Sequence, residues 1–215
     1  QRASRGLTFK ANYTFSKTID MHSAVSTGAA SNQPQTVLNI YNLKLAKGLA
    51  AYHAQHQFNA NFGYELPFGR GQRWGNGATG VANHLISGWQ WQGIFTAQSG
   101  FPFTPAVGSN ISGTGDSANP DVPNRNPNFN GPVVRGVDGF KRTGRYFDPN
   151  AFVLPIVGTF GNVARGSFIG PGLTAFDTSL FKSFDLNERW NLEFRAEAFN
   201  LFNHPNFNLP DNFLG

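Results

Sequence analysis

The sequence predicts an all-β fold: an antiparallel up-and-down meander of long strands forming part of a large transmembrane β-barrel, with long external loops. Three observations lead there. Several segments separate apolar from polar side chains by strict two-residue alternation over about a dozen residues each, as a sheet with different solvents on its two faces requires. Their connections alternate between long and short. Only 13% of the 215 residues are charged, while Gly 25, Pro 13 and 14% aromatic residues favour strands and turns over helices.

The first strand lies near 6–17, with Leu7, Phe9, Ala11, Tyr13 and Phe15 on one face and Thr8, Lys10, Asn12 and Thr14 on the other. In the second, near 52–66, Ala54, His56, Phe58, Ala60, Phe62, Tyr64 and Leu66 oppose Gln55, Gln57, Asn59, Asn61, Gly63 and Glu65. Only His56 breaks that pattern. The third, near 87–99, sets Trp89, Trp91, Gly93, Phe95 and Ala97 against Gln90, Gln92, Ile94, Thr96 and Gln98. The fourth, near 173–186, is less regular: Phe176, Leu180, Phe184 and Leu186 share a face with Lys182, and Phe181 sits opposite. In the fifth, near 189–202, Trp190, Leu192, Phe194, Ala196 and Ala198 face away from Asn191, Glu193, Arg195 and Glu197. A helix would leave Leu192 and Ala196 outside its apolar stripe.

These segments are about twice the usual strand length of five or six residues. Ten residues tilted by about 40° cover roughly 25 Å, the height of the apolar band on an outer-membrane barrel. The expected lipid-facing side chains are therefore Leu7, Phe9, Tyr13, Phe15, Phe58, Phe62, Tyr64, Trp89, Trp91, Phe95, Trp190, Leu192 and Phe194. Lys10, Asn12, Gln57, Asn59, Asn61, Glu65, Gln90, Gln92, Glu193, Arg195 and Glu197 are expected to face the lumen. Trp89, Trp91 and Trp190 near strand ends suit an aromatic girdle. Segments 18–51 and 101–172 read as external loops, the glycine-rich stretch 67–85 and the turn 187–189 as periplasmic connections. Pro120, Pro123, Pro127, Pro132, Gly131, Gly136 and Gly139 predict mostly irregular backbone from Gly108 to Arg142, with Phe147 and Phe152 anchoring the long loop by packing.

Other chemistries find little support. With Cys 0, disulfides, thiolate zinc sites and Cys nucleophiles are excluded. Gly75, Gly77 and Gly80 match a dinucleotide-loop spacing without the strand and acidic partner it needs, and read as a turn. His53 and His56 point to opposite faces of a strand, which disfavours a shared metal. Asp116 and Asp121 lack EF-hand spacing and read as a solvated loop. Gly-x-Ser-x-Gly does not occur. The reading is of a protein that is not an enzyme and holds no cofactor. The net charge of +5 is spread over scattered cations, so nucleic acid is not an expected partner. The alternative architecture is a secreted carbohydrate-binding or adhesive β-sandwich, whose strands would pack around a core.

Specific phrases carry a family resemblance: ANYTFSKTID at 11–20, FGYELPFGRGQRW at 62–74, SGWQWQGIFTAQSGFPFT at 87–104, RYFDPNAF at 145–152 and FRAEAFNLFNHPNF at 194–207. With these the whole chain resembles the C-terminal barrel region of TonB-dependent outer-membrane receptors, the Oar-like group in particular. The resemblance implies energy-coupled uptake of a scarce ligand at the bacterial outer membrane. Its implied partners are outer-membrane lipid, a plug domain of the same parent chain, the TonB complex through an N-terminal region, and a ligand that strand patterns do not identify. Neither a plug nor a closing strand is read within residues 1–215, so the expectation is a partial barrel domain.

Overall fold

Backbone groups in an extended segment must find partners, and antiparallel pairing supplies them while keeping the two side-chain faces apart. The computed structural model describes residues 2–3, 6–23, 37–115, 121–187 and 189–214. In chain order the strands are β1 (Arg2–Ala3), β2 (Leu7–Phe15), β3 (Ile19–Asp20), β4 (Gly48–Leu49), β5 (His56–Glu65), β6 (Trp89–Gln98), β7 (Pro102–Phe103), β8 (Asn124–Arg125), β9 (Phe152–Val153), β10 (Phe168–Ile169), β11 (Leu173–Asn187) and β12 (Trp190–Ala198). Two short helices, α1 (Gly80–Ile86) and α2 (Gly136–Thr143), interrupt the connections. No helix among the described residues is long and apolar enough to cross a membrane.

Two compact units result. One, formed by 1–14, 56–98 and 173–205, is a six-stranded sheet in the order β1-β2-β5-β6-β11-β12. The long strands follow chain order, as a meander does. β5, β6, β11 and β12 pair antiparallel in a register that repeats across the sheet. Tyr64, Trp91, Leu180 and Ala196 form one cross-strand row, and Gly63, Gln92, Ser179 and Glu197 form the adjacent one. A slip of one residue would exchange the two faces, so the alternation itself fixes this register.

Among the described residues no second layer covers the apolar face. Phe9 stays 51% exposed and Phe194 54%. A β-sandwich core would have buried both, which removes that alternative architecture.

Strand ends differ from the alternation at two places. The second strand starts at His56 rather than near 52. Residues ahead of it are spent on a turn: His53 N–H donates to Ala50 O at 2.8 Å, and Ala54 is buried. The fifth stops at Ala198 rather than near 202, because Asn200 (φ 47) and Asn203 (φ 49) adopt the left-handed conformation that Asn tolerates. Asn200 Oδ1 accepts from His204 N–H at 3.1 Å, so the NLFN phrase is a turn rather than a strand end.

The second unit, 15–55, 99–172 and 206–215, holds a core of its own. Phe103, Val122, Phe147, Ala151, Phe152 and Val163 are buried together. Phe147 and Phe152 thus do pack inward, against Phe103 and each other. The two-residue ladders β3–β4, β7–β10 and β8–β9 brace it. From Gly108 to Arg142 the described backbone is mostly irregular, as expected, with β8 and α2 as its regular stretches. α2 ends on Gly144 in the left-handed conformation, a helix stop that glycine makes cheap.

Gly93 interrupts the run of aromatic side chains Trp89, Trp91 and Phe95 on the apolar face of β6. A Cβ there would lie 2.5 Å from Phe62 Cε1 and 3.0 Å from Phe176 Cε2. Those two rings close over the glycine from the flanking strands. Gly93→Val should cost about 1 to 3 kcal/mol through this overpacking. Unfolding by urea in lipid vesicles would measure it, and an unchanged midpoint would contradict the packing described.

Candidate functional site

The apolar face is continuous over four strands. Its rows are Phe58 with Ala97 and Thr174, Ala60 with Phe95 and Phe176, Phe62 with Gly93, Thr178 and Ala198, and Trp89 with Lys182 and Phe194. Leu192 stands opposite Phe184, and a register shift in the hairpin sets Trp190 opposite Asn187. Leu7, Phe9, Tyr13 and Phe15 extend the alternation on β2, the neighbour of β5. Aromatic contacts cross the strands: Phe62 meets Trp91 edge-on with centroids 4.6 Å apart, and Phe58 tilts against Phe95.

Polar atoms on this face are satisfied locally. Trp91 Nε1–H donates to Thr178 Oγ1 at 2.7 Å, and that hydroxyl donates to Gln92 O at 2.8 Å. His56, the exception in its strand, stacks on Tyr13, with Tyr13 Oη 2.8 Å from His56 Nδ1. Lys182 is only 2% exposed. Its ammonium donates to the carbonyls of Ser87 and Ser183 and lies 4.3 Å from the centre of the Phe184 ring. Carbonyl dipoles and a ring face stand in for water around that charge.

The opposite face is polar. Asn59 pairs with Thr96, Gln57 with Gln98, and Glu65 with Gln90. Asn61 and Asp177 flank Ile94, and Gln92 and Glu197 flank Ser179. Lys10, Asn61, Gln92, Asp177, Ser179 and Glu197 line a groove of about 600 Å³ here. Asn12 lies on the same side of the alternation in β2. Arg195 sits 3.6 Å from Glu193 and from Glu197 and covers the Phe181 ring at 4.6 Å, which accounts for an aromatic residue on the wet face. Glu193 and Asn191 pair with Ser183 and Asp185.

In the second unit the polar groups serve structure. Asp20 accepts from the Arg165 guanidinium and, at 2.6 Å, from the Ser23 hydroxyl. Arg165 Nη2 donates in turn to Ser23 Oγ at 2.6 Å. Gly48 permits this, since a Cβ there would strike Arg165 O at 1.9 Å. Asp148 pairs with Arg135 and caps the turn at Asn150 N–H. Asp121 is buried and accepts from Ser112 N–H and Oγ at 2.7 and 2.8 Å. Asp116 lies outside the described residues, among which no three His, Asp or Glu side chains cluster as metal ligands. His53 does not stand in a strand with His56, as the alternation suggested. It is buried, with Nδ1 accepting from Thr18 N–H at 3.1 Å. Gly75, in the connection ahead of α1, and Gly80, the first residue of α1, take positive φ.

A sheet greasy on one uncovered face and wet on the other, with no core beneath it, has the form of a membrane wall. The family model for an outer membrane beta barrel domain matches residues 1–215. The chain belongs to that family. This outer-membrane β-barrel domain accordingly resides in the bacterial outer membrane. No curated protein and no solved structure matches it. Among the residues now placed in the barrel domain, Asp177, Ser179 and the Asp20–Ser23–Arg165 cluster were not singled out from sequence. For Asp177 and Ser179 the signal was the alternation of the fourth strand, blurred there by Phe181 and Lys182.

The loop unit should loosen in acid. Burial pushes the Asp20 carboxyl up, but hydrogen bonds from Arg165 and Ser23, with the Arg165 and His22 charges, more than offset it and hold it below 3.8. Burial likewise acts on Asp148 and is outweighed by Arg135 and the Asn150 contacts, which hold it below 3.8. Burial, then the Lys17 charge, lowers His53 below 6.5. Each group binds its proton more readily in the opened chain, so its contribution is present above the unfolded value and lost as pH falls. His53 yields first, below 6.5, and the two carboxylates below 3.8. Hydrogen exchange of residues 99–115 and 121–172 at pH 7, 5 and 3 should show faster opening at each step down, whereas pH-independent protection would refute this.

Proposed function

We propose that this domain is wall and loop structure of a TonB-dependent receptor of the Oar-like kind, which takes up a scarce ligand with energy supplied from the inner membrane. The observation carrying the reading is the uncovered apolar face together with the direction of the connections. The segments after β2 and β6, 16–55 and 99–172, leave from one end of the strands, and the shorter 66–88 and 188–189 from the other. Long loops outside and short turns in the periplasm are the usual arrangement of such barrels.

On this reading Leu7, Phe9, Tyr13, Phe15, Phe58, Phe62, Tyr64, Trp89, Trp91, Phe95, Trp190, Leu192 and Phe194 meet outer-membrane lipid. The groove side, from Lys10 and Asn12 through Gln57, Asn59, Asn61, Glu65, Gln90 and Gln92 to Glu193, Arg195 and Glu197, faces the hydrated lumen and a plug domain. The residues do no covalent chemistry. Ligand is met by the loop unit, and the plug connects to TonB. No enzymatic activity, cofactor or nucleic-acid partner belongs to the proposal.

Two measurements test it. Ala60 and Asn59 are adjacent near the middle of β5 and on opposite faces. Ala60→Arg should destabilise the full-length protein in lipid by about 2 to 4 kcal/mol, as a cation does at the lipid midplane. Asn59→Arg should stay within about 0.5 kcal/mol. Equal effects would reject the assignment of faces. For the TonB connection, calorimetric titration of the detergent-solubilised full-length protein with the periplasmic domain of TonB should show binding, and its absence would sink that part of the proposal.

A further inference from the structure

The connection 66–88 joins β5 to β6 at the short-turn end of the sheet, and it abuts the apolar face at that end. Two contacts fix this. Trp89 Nε1–H, on the apolar face of β6, donates to Leu85 O of α1 at 2.9 Å. The Lys182 ammonium, on the same face of β11, donates to Ser87 O immediately after that helix. Inside the connection, Ile86 lies over Gly75, and Asn83 Oδ1 accepts from Arg70 N–H at 2.7 Å. α1 therefore turns Asn83 and Ile86 inward.

What it turns outward is not a water-facing surface. Val81 is 75% exposed and Leu85 59%, one helical turn apart on a single stripe. Trp74 is 55% exposed in the loop that packs on the helix, with the Arg73 guanidinium 5.4 Å over its ring. Residues 66–88 contain Arg70, Arg73 and His84 and no Asp or Glu. The nearest carboxylate on the adjoining strand, Glu65, lines a hollow with Gln72, Arg73 and Trp74. Arg70 and Arg73 are both exposed.

We propose that the connection 66–88 is a membrane-interface foot, in which Val81, Leu85 and Trp74 enter the periplasmic leaflet and Arg70 and Arg73 bind the phosphates of its anionic phospholipids. The inference rests on the outward-face assignment made above and goes beyond it. Trp89 and Leu85 make the stripe on α1 continuous with the apolar face of the wall, so the occupant is the same lipid. A helix with an apolar stripe lying in the plane of the interface, flanked by cations, is the established form for such binding. Each arginine near an anionic surface favours it by about fivefold.

This chain has no cysteine, so, with any cysteine elsewhere in the full-length protein replaced by Ser, a reporter can be placed in it singly. Val81→Cys and, separately, Phe9→Cys, each labelled with an environment-sensitive nitrobenzoxadiazole group, would be read in the full-length protein reconstituted in vesicles. Quenching by brominated phospholipid is expected at both positions. At Val81, brominated phosphatidylglycerol should quench at least about twofold more than brominated phosphatidylcholine at equal mole fraction. Arg70→Gln with Arg73→Gln should abolish that preference, and Arg70→Lys with Arg73→Lys should keep it. In every variant a quenched Phe9 label shows that the wall is folded and inserted. Quenching at Phe9 with none at Val81 overturns the foot, and equal quenching by the two lipids overturns its selectivity for anionic headgroups. No quenching at Phe9 in the parent overturns the outward-face assignment and this inference with it.

Discussion

One constraint governs the wall: a single layer of backbone must separate two solvents, with no third element to cover either side. In hydrocarbon an unpaired N–H or C=O costs several kcal/mol, so ladder pairing is obligatory rather than marginal. The pairing in turn fixes register, and register sorts the side chains. Tyr64, Trp91 and Leu180 fall together because Gly63, Gln92 and Ser179 must fall together on the other side. In water the exposed Phe9, Phe15 and Phe194 would make this sheet an aggregation site. On the proposed assignment of faces, the same exposure to lipid is what holds it in place.

Three departures from alternation are compensated where they stand. His56 takes a tyrosine hydroxyl and a stacked ring. Phe181 lies under Arg195, which converts an apolar side chain on the wet face into a platform for a cation already flanked by two carboxylates. Lys182 is the most demanding. Its charge on the greasy face is tolerated because two carbonyls and the Phe184 ring surround it at the end of β6, where that strand gives way to the connection from α1. The sheet thus remains two-faced without every residue obeying the pattern.

How much of this was legible in the sequence depends on the range of the interaction that decides each feature. Face membership was readable because it needs only the neighbours two residues away, and the order of the long strands followed from their connections. Strand ends were less so: the turn at His53 and the left-handed Asn200 and Asn203 interrupt an alternation that continues past them in the sequence. The core of the second unit was largely hidden. Phe103, Val122 and Val163 lie far apart in the chain, without periodicity, in or near a segment whose Pro and Gly content suggested irregular backbone, and only Phe147 and Phe152 were readable as packing anchors. The Asp20–Arg165 pair spans 145 residues. α1 was missed because its seven residues follow a run of glycines and show only one exposed stripe.

The two units consequently draw their stability from different sources. Around Phe103 the second unit gains from removing apolar surface from water, reinforced by paired charges whose removal would strand a buried partner. The wall gains little that way, since its apolar side chains remain uncovered by protein, and on the proposed assignment of faces what retains it is lipid on one face together with ladder pairing between its strands. A substitution must therefore be judged against the solvent of its own unit. Exchanging Phe for Leu at position 103 disturbs a jigsaw of rings, whereas on the proposed assignment of faces the same exchange at position 9 leaves an apolar side chain in an apolar fluid. Sequence tolerance should accordingly be broad on the outer face, provided hydrophobicity is kept, and narrow around Phe103, Phe147 and Phe152, where shape as well as polarity is specified.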